Sequence, residues 1–247
     1  METLRQPFQG VFNIIRFNWH FYVLAGLFSG ILFFLIPYTP EFYHFYLYGL
    51  SYLMLISTII SLFVSFYIYD VSDLYLFKWL QDSDEKIKIV NINAGFDETS
   101  ILLKAKFQNA ELIVLDFYDP VTHTEVSIQR ARKAYPPYPE TQQVNTNHLP
   151  FQDNSIDKIF VTLAAHEIRD DAERIIFFKE LNRIIKPSNE IFITEHLRDT
   201  ANFLAYNIGF LHFLSEKIWL KVFRLSHLSL NKKIKITSFI TVFILKK

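Results

Sequence analysis

DKIFVTLAA (157–165), DDAERIIFFKELNRII (170–185) and IFITEHL (191–197) follow one another in a single run. The first and third are short, β-branched and apolar, as buried strands are. The middle one repeats apolar residues at helical spacing and predicts an amphipathic helix with Ile175, Ile176, Phe178, Leu181 and Ile184 or Ile185 inward. Upstream the alternation repeats. KIKIVNINA (86–94) reads as a strand and ETSILLKAKF (98–107) as a helix with Ile101, Leu102 and Ala105 on one face. ELIVLDF (111–117) is a second strand, THTEVSIQRARKAY (122–135) a helix stopped by YPPYP, and 141–145 a weak third strand. Two β-rich runs, around KIKIT and FITVFIL, close the chain. Strands alternating with helices imply a sheet covered on both faces. The expected class is α/β, a doubly wound, mostly parallel seven-stranded sheet with an antiparallel terminal hairpin. Such sheets bind ligands at the carboxyl ends of their strands.

Residues 1–69 are a different material. From Phe21 to Tyr69 the only formally charged residue is Glu41, and all 25 Lys and Arg lie elsewhere. FYVLAGLFSGILFFLIPYTP (21–40) covers about 30 Å as a helix, one hydrocarbon thickness. Phe42 to Tyr69 is a second uncharged run. Two transmembrane helices near 20–37 and 44–68 are expected, turning at Pro37, Pro40 and Glu41. A cleaved signal peptide fits poorly, because no small-residue cleavage site separates the spans. Arg5 and Arg16 precede the first span and Lys78 follows the second, so both ends are expected in the cytoplasm. Gly26 and Gly30 form a GxxxG that would pack the two helices or a homodimer. DVSDLYLFKWL (70–80) reads as an amphipathic juxtamembrane helix, lying at the interface or packing on the next domain, and QDSDE (81–85) as a linker. The organisation is therefore 1–69 membrane hairpin, 70–85 juxtamembrane helix and linker, and 86–247 α/β domain, in the membrane with two spans and the α/β domain cytoplasmic.

The chain has no cysteine, which excludes disulfide scaffolds, Cys-ligated metals and thiol nucleophiles. Zero net charge gives no whole-molecule attraction to nucleic acid, and none is expected as a partner. HExxH, P-loop and GxSxG patterns are absent.

Chemistry is expected just after each strand. NINAGFD (91–97) ends the first, Asp116 ends the second, NTNHLPFQDNSID (145–157) precedes the fourth and LNRIIKPSN (181–189) precedes the fifth. From about Lys86 onward the chain resembles the class I S-adenosylmethionine-dependent methyltransferases of the small-molecule and lipid-modifying kind, which have a Rossmann-like fold. LPFQDNSIDKIF is the most specific match and ELNRIIKPSN the next. The family's turn glycines stand at Asn93, Gly95 and Asp97, of which only Gly95 is kept, and Asn189 replaces the last glycine of its KPGG segment. Asn91 and Asn145 replace family acids. Asn and Asp tolerate positive φ better than other non-glycine residues, so a preserved backbone is expected.

The resemblance implies S-adenosylmethionine as cofactor. Asn91, Asn93 and Gly95 would lie against its methionine part, Asp116 at its ribose, Asn145 and Thr146 at its adenine edge and Leu163 or Ala164 by the sulfonium, with Phe117 a further cofactor-binding residue. His166 and Glu167 after the fourth strand are the first candidates for an acid–base pair; Asp119, His123, Glu195 and His196 flank the same mouth. The apolar segment 202–219 is where the resemblance places acceptor-binding elements. Eight Lys and Arg follow Glu216 with no acid, a face that would suit anionic lipid. The expected function is a membrane-anchored methyltransferase acting on a lipophilic acceptor such as a quinone, polyene, resorcinol or lipid. The alternative is a non-catalytic tethered module.

Overall fold

The computed structural model describes residues 5–81, 85–122 and 125–247; His123 and the middle of the linker lie outside them. Helices α1 (Gln9–Leu35) and α2 (Glu41–Phe66) precede strands β1 (Lys88–Asn93), β2 (Glu111–Asp116), β3 (Gln142–Gln143), β4 (Ile156–Thr162), β5 (Ile185–His196), β6 (Ser229–Lys235) and β7 (Ile240–Lys246). Between strands run α3 (Ser100–Lys106), α4 (Val126–Ala134), α5 (Asp171–Ile184), α6 (Thr200–Tyr206) and α7 (Glu216–Leu225). The strands order as β3-β2-β1-β4-β5-β7-β6. The first five are mutually parallel, and β7 is antiparallel to both β5 and β6. This is the doubly wound sheet with its closing hairpin.

The period-2 alternation of each strand divides the core into two layers. Val90, Ile92, Ile191, Ile193, Phe243 and Leu245 face α5 and α7. Ile89, Phe160, Phe192, Val242 and Ile244 face α3 and the segment around Phe77 and Leu80. Two helix faces differ from the periodicity reading. α3 begins only at Ser100, so Leu103 and Phe107, a turn apart, point inward while Ile101 and Ala105 are exposed. In α5 the buried stripe is Arg174, Phe177, Phe178, Leu181 and Ile184; Phe177 takes the place expected for Ile176, which is exposed.

Residues 70–80 form no continuous amphipathic helix. A wide helical turn at Tyr67–Val71 and a tight one at Asp73–Leu76 lead into Phe77 at φ 48°. Leu74, Phe77 and Leu80 are buried against the α/β core, so the segment packs on the domain.

The hairpin has two parts. α1 kinks at Asn18 (φ −117°, ψ 19°), whose Nδ2 donates to the Ile14 carbonyl. Before the kink α1 lies on the α/β domain, with Phe17 edge-on to Phe96 and Tyr135. After it α1 runs beside α2, where Phe33 meets Tyr48 and Tyr52 and the buried small residues are Ser29 and Ser51. Gly26 and Gly30 are not at that contact, since a Cβ on either would meet nothing within 4 Å. Both helices are long and apolar enough to cross a membrane. Their large side chains are exposed, Phe34 by 67%, Phe45 by 80% and Phe63 by 69%, unlike those of a soluble core helix.

The glycine that matters is Gly10. Its N–H and that of Val11 donate to the two carboxylate oxygens of Asp70, at 2.7 and 2.8 Å, an anion at a helix N-terminus. A Cβ at Gly10 would stand 2.3 Å from Tyr69 Cβ. Gly10→Ala is expected to destabilise the full chain by about 1–3 kcal/mol, through overpacking. Thermal unfolding in detergent checks this, and an unchanged midpoint would refute the contact.

Candidate active site

The loop after β1 keeps its shape by side-chain hydrogen bonds. Only Gly95 has positive φ, 96°; Asn93 and Asp97 do not. Asn93 Oδ1 accepts from the Gly95 N–H (2.9 Å) and its Nδ2 donates to the Leu115 carbonyl (3.2 Å), which tethers the loop to β2. Asp97 Oδ1 accepts from the N–H groups of Thr99 and Ser100 at 2.9 and 3.0 Å, starting α3. Conformational tolerance is therefore not the reason for Asn and Asp here, and their side chains turn back into the loop. Likewise positive φ after α5 falls on Ser188 (67°), while Asn189 donates to Asp157.

What lies across the loop is Arg132 of α4. It pairs with Asp116 Oδ2, stacks 4.5 Å above the Tyr118 ring, and would meet a Cβ on Gly95 at 2.9 Å. Asp116 Oδ1 accepts from the Tyr118 N–H. A small cavity remains between Gly95, Asp97, Asp116, Arg132 and Tyr135. Asn91 is buried below it, donating to Thr99 and Ser100. Two acceptors at this strand end, Asn91 Oδ1 and Asp97 Oδ2, are buried without a partner.

The other sequence candidates separate. Leu163, at φ 51°, lines a large cavity of about 680 Å³ together with Asn93, His166 and Glu167. Phe117 points into the core against Phe177, so Tyr118 is the aromatic beside Asp116. Asn145 is exposed and Thr146 donates to Glu173 (2.6 Å); among the described residues neither lines these two cavities.

His166 sits between two carboxylates, with Nδ1 2.6 Å from Glu195 Oε2 and Nε2 3.1 Å from Glu167 Oε1. Burial alone would lower its pKa, but the charges and hydrogen bonds of Glu195 and Glu167 outweigh burial and push it up to about 10. Glu167, despite burial, is held well below the usual carboxylate range by His166 and His212. A ring already protonated takes no proton from an acceptor at neutral pH, which counts against His166 as a general base.

His196 has the opposite character. Burial pushes it down to about 4. Asn202 Nδ2 donates to Asp199 and to the Phe239 carbonyl, so its Oδ1 accepts from His196 Nδ1 (3.0 Å). The Nε2 lone pair then accepts from Tyr69 O–H at 2.8 Å. Tyr69 and His196 both line the large cavity. The chain pattern places His196 at a strand end, but nothing local in the sequence pairs it with a tyrosine 127 residues away.

Residues 92–193 match a protein family described as a methyltransferase domain. No curated protein matches the chain. Among solved structures it is similar to a SAM-dependent methyltransferase from Aquifex aeolicus (15% identity, 71% of this chain and 93% of that one, TM-score 0.49) and to another from Methanosarcina mazei (17%, 70% and 96%, 0.49). It is also similar to geranyl diphosphate C-methyltransferase from Streptomyces coelicolor (10%, 70% and 77%, 0.48). Over residues 92–193 the α/β part thus has the sequence of a methyltransferase domain, and S-adenosylmethionine is the cofactor that this reading implies. With Arg132 moved off Asp116, the residues here would suit that cofactor. Asp116 offers a carboxylate, the Asn93–Gly95 backbone a close approach, and the unpartnered acceptors a place for an ammonium group.

Calorimetry with S-adenosylmethionine on the full chain should show Asp116→Ala weakening binding about 10-fold or more, the loss of hydrogen bonds to a charged acceptor. Arg132→Ala should leave binding intact or tighter. Weaker binding in Arg132→Ala, or none lost in Asp116→Ala, would contradict this assignment. For His196 the depressed pKa means the ring stays neutral as pH falls through 6.5, where an unfolded histidine protonates, so its contribution to stability declines between about pH 6.5 and 4. Nitrogen chemical shifts at pH 6 should report a neutral ring protonated on Nδ1; a doubly protonated ring would refute the tautomer.

Proposed function

We propose that the chain is a membrane-anchored methyltransferase whose acceptor is a lipophilic small molecule reaching the site through the hairpin. The observation that carries this reading is the large cavity. Its wall runs from Tyr22 and Ala25 of α1 and Met54 and Thr58 of α2 down to Asn93, Thr162 and Leu163 at the strand ends. Its volume suits a drug-sized ligand. The exposed apolar faces of the same helices suit a bilayer. Arg5, Arg16 and Lys78 favour a cytoplasmic α/β domain in this reading. A quinone, polyene, resorcinol or similar lipid fits such a chamber.

S-adenosylmethionine supplies an electrophilic methyl group on a sulfonium. The chain's own residues position the reactants. Asp116 and the Asn93–Gly95 loop would hold the cofactor at the end of the sheet. Leu163 and Thr162 border the chamber where the two reactants would meet, with the hairpin as its roof. Holding reactants in line supplies much of the rate in such a displacement. Where the acceptor is a hydroxyl, the Tyr69–His196 pair, with Asn202 fixing the ring, would orient it by hydrogen bonding.

Membranes carrying the chain, supplied with methyl-labelled S-adenosylmethionine, should place label in the organic-soluble fraction. Ala25→Trp and Thr58→Trp, which fill the chamber, should cut that label about 10-fold or more while cofactor affinity changes little, since they remove acceptor positioning. Label confined to water-soluble products would contradict a lipophilic acceptor. A folded chain that binds no cofactor would favour a tethered module locked by Arg132.

A further inference from the structure

We propose that His166, Glu167 and His212 form a binding site for a divalent transition-metal ion in the wall of the large cavity. One ligand atom from each residue lies within 4.8 Å of the others. His166 Nε2 and His212 Nε2 approach the same oxygen, Glu167 Oε1, at 3.1 and 3.3 Å. Two ligand atoms held by one tetrahedral ion stand about 3.3 Å apart, from metal–ligand lengths of about 2.0–2.1 Å. The rings of His166 and His212 are nearly perpendicular, 77°, with centroids 5.1 Å apart. Two imidazoles and a carboxylate are a donor set for Zn²⁺, Fe²⁺ or Co²⁺.

The surroundings fit a cation. Glu195, fully buried on β5, accepts from His166 Nδ1 at 2.6 Å and so orients Nε2 toward the ion, the arrangement that metal-binding histidines ordinarily have. Glu125, just before α4, stands 3.2 Å from His212 Nδ1. Arg169 Nη2 lies 3.6 Å from Glu125 and 3.9 Å from Glu167. Among the described residues the cluster thus carries three carboxylates, Glu125, Glu167 and Glu195, and one guanidinium. With neutral rings two negative charges remain, which a dication balances. Binding would replace the His166 Nε2 proton, released to solvent, with the ion. Arg169 also contacts the His212 ring (Nη2 to Nε2, 2.7 Å), and uptake exchanges that contact for a metal–nitrogen bond. Arg169 is 41% exposed and keeps Glu125 and Glu167 as partners. All three proposed ligands line the cavity, so the ion's remaining positions face it. The site is independent of which acceptor the enzyme takes.

The full chain in detergent, stripped with chelator, is titrated with Zn²⁺ by calorimetry and with Co²⁺ by visible absorption. One equivalent of Zn²⁺ and a tetrahedral Co²⁺ spectrum are expected. His212→Ala, at a partly exposed position, should weaken Zn²⁺ binding about 10-fold or more and change the Co²⁺ spectrum. Glu195→Gln should weaken Zn²⁺ about 10-fold with the ligands intact. No stoichiometric uptake by the wild type means that the cluster is held by protons alone, which overturns the proposal. Uptake unaffected by His212→Ala places the ion elsewhere and overturns it equally.

Discussion

One carboxylate joins the helical hairpin to the sheet. Glu98, five residues past β1, accepts from Arg5 Nη1 (2.8 Å) and Asn13 Nδ2 (3.4 Å) through one oxygen and from Tyr75 O–H (2.8 Å) through the other. Those donors come from three places: the residue lead-in to α1, α1 itself and the segment after α2. Arg5 also stacks 3.7 Å above the Tyr75 ring. Hydrogen bonds to a charged acceptor are worth more than neutral ones, and the 16% exposure of the Glu98 side chain limits screening by water. Asp70 closes the hairpin on itself, and Glu98 closes it on the domain. The two carboxylates set where the membrane-type helices stand relative to the strand ends.

That placement makes the site. The ends of β1, β4 and β5 supply Asn93, Thr162, Leu163 and His196, while α1, α2 and the turn after α2 supply Tyr22, Met54, Ser65 and Tyr69. Without the hairpin the cavity loses its roof and His196 loses its hydroxyl partner. Anchoring and catalysis would then share one element. The end of α6, with the turn holding His212, closes the opposite side.

The architecture was readable because it rests on local signals. Alternating strands and periodic helices fixed the sheet, and the two most specific motifs proved to be one brace. Arg183 of LNRIIKPSN donates to the carbonyls of Leu149 and Phe151 and pairs with Asp153 of LPFQDNSID, while Glu180 accepts from the Leu149 N–H. The motif therefore reports how α5 is clamped to the approach to β4, which is fold information. Site information was poorer. Arg132 over Asp116, Tyr69 against His196 and Asn13 against Tyr135 join residues far apart in sequence, and no spacing rule pairs them. Asn93 and Asp97 stand where glycines were expected, yet what they supply is hydrogen bonds, which dihedral preference alone does not reveal. The buried face of α3 differs from the periodicity reading because the helix begins only at Ser100, after the turn held by Asp97, and packs Leu103 and Phe107 inward.

Glu98 holds α1 against the strand ends. Hydrogen exchange on the full chain in detergent, wild type against Glu98→Ala, measures it directly. The amides of 9–17 should exchange about 10-fold faster or more in the variant, as expected for losing hydrogen bonds to a charged acceptor, while those of β4 and β5 keep their protection. Unchanged protection over 9–17 would show that the hairpin is held by something else and would contradict the account.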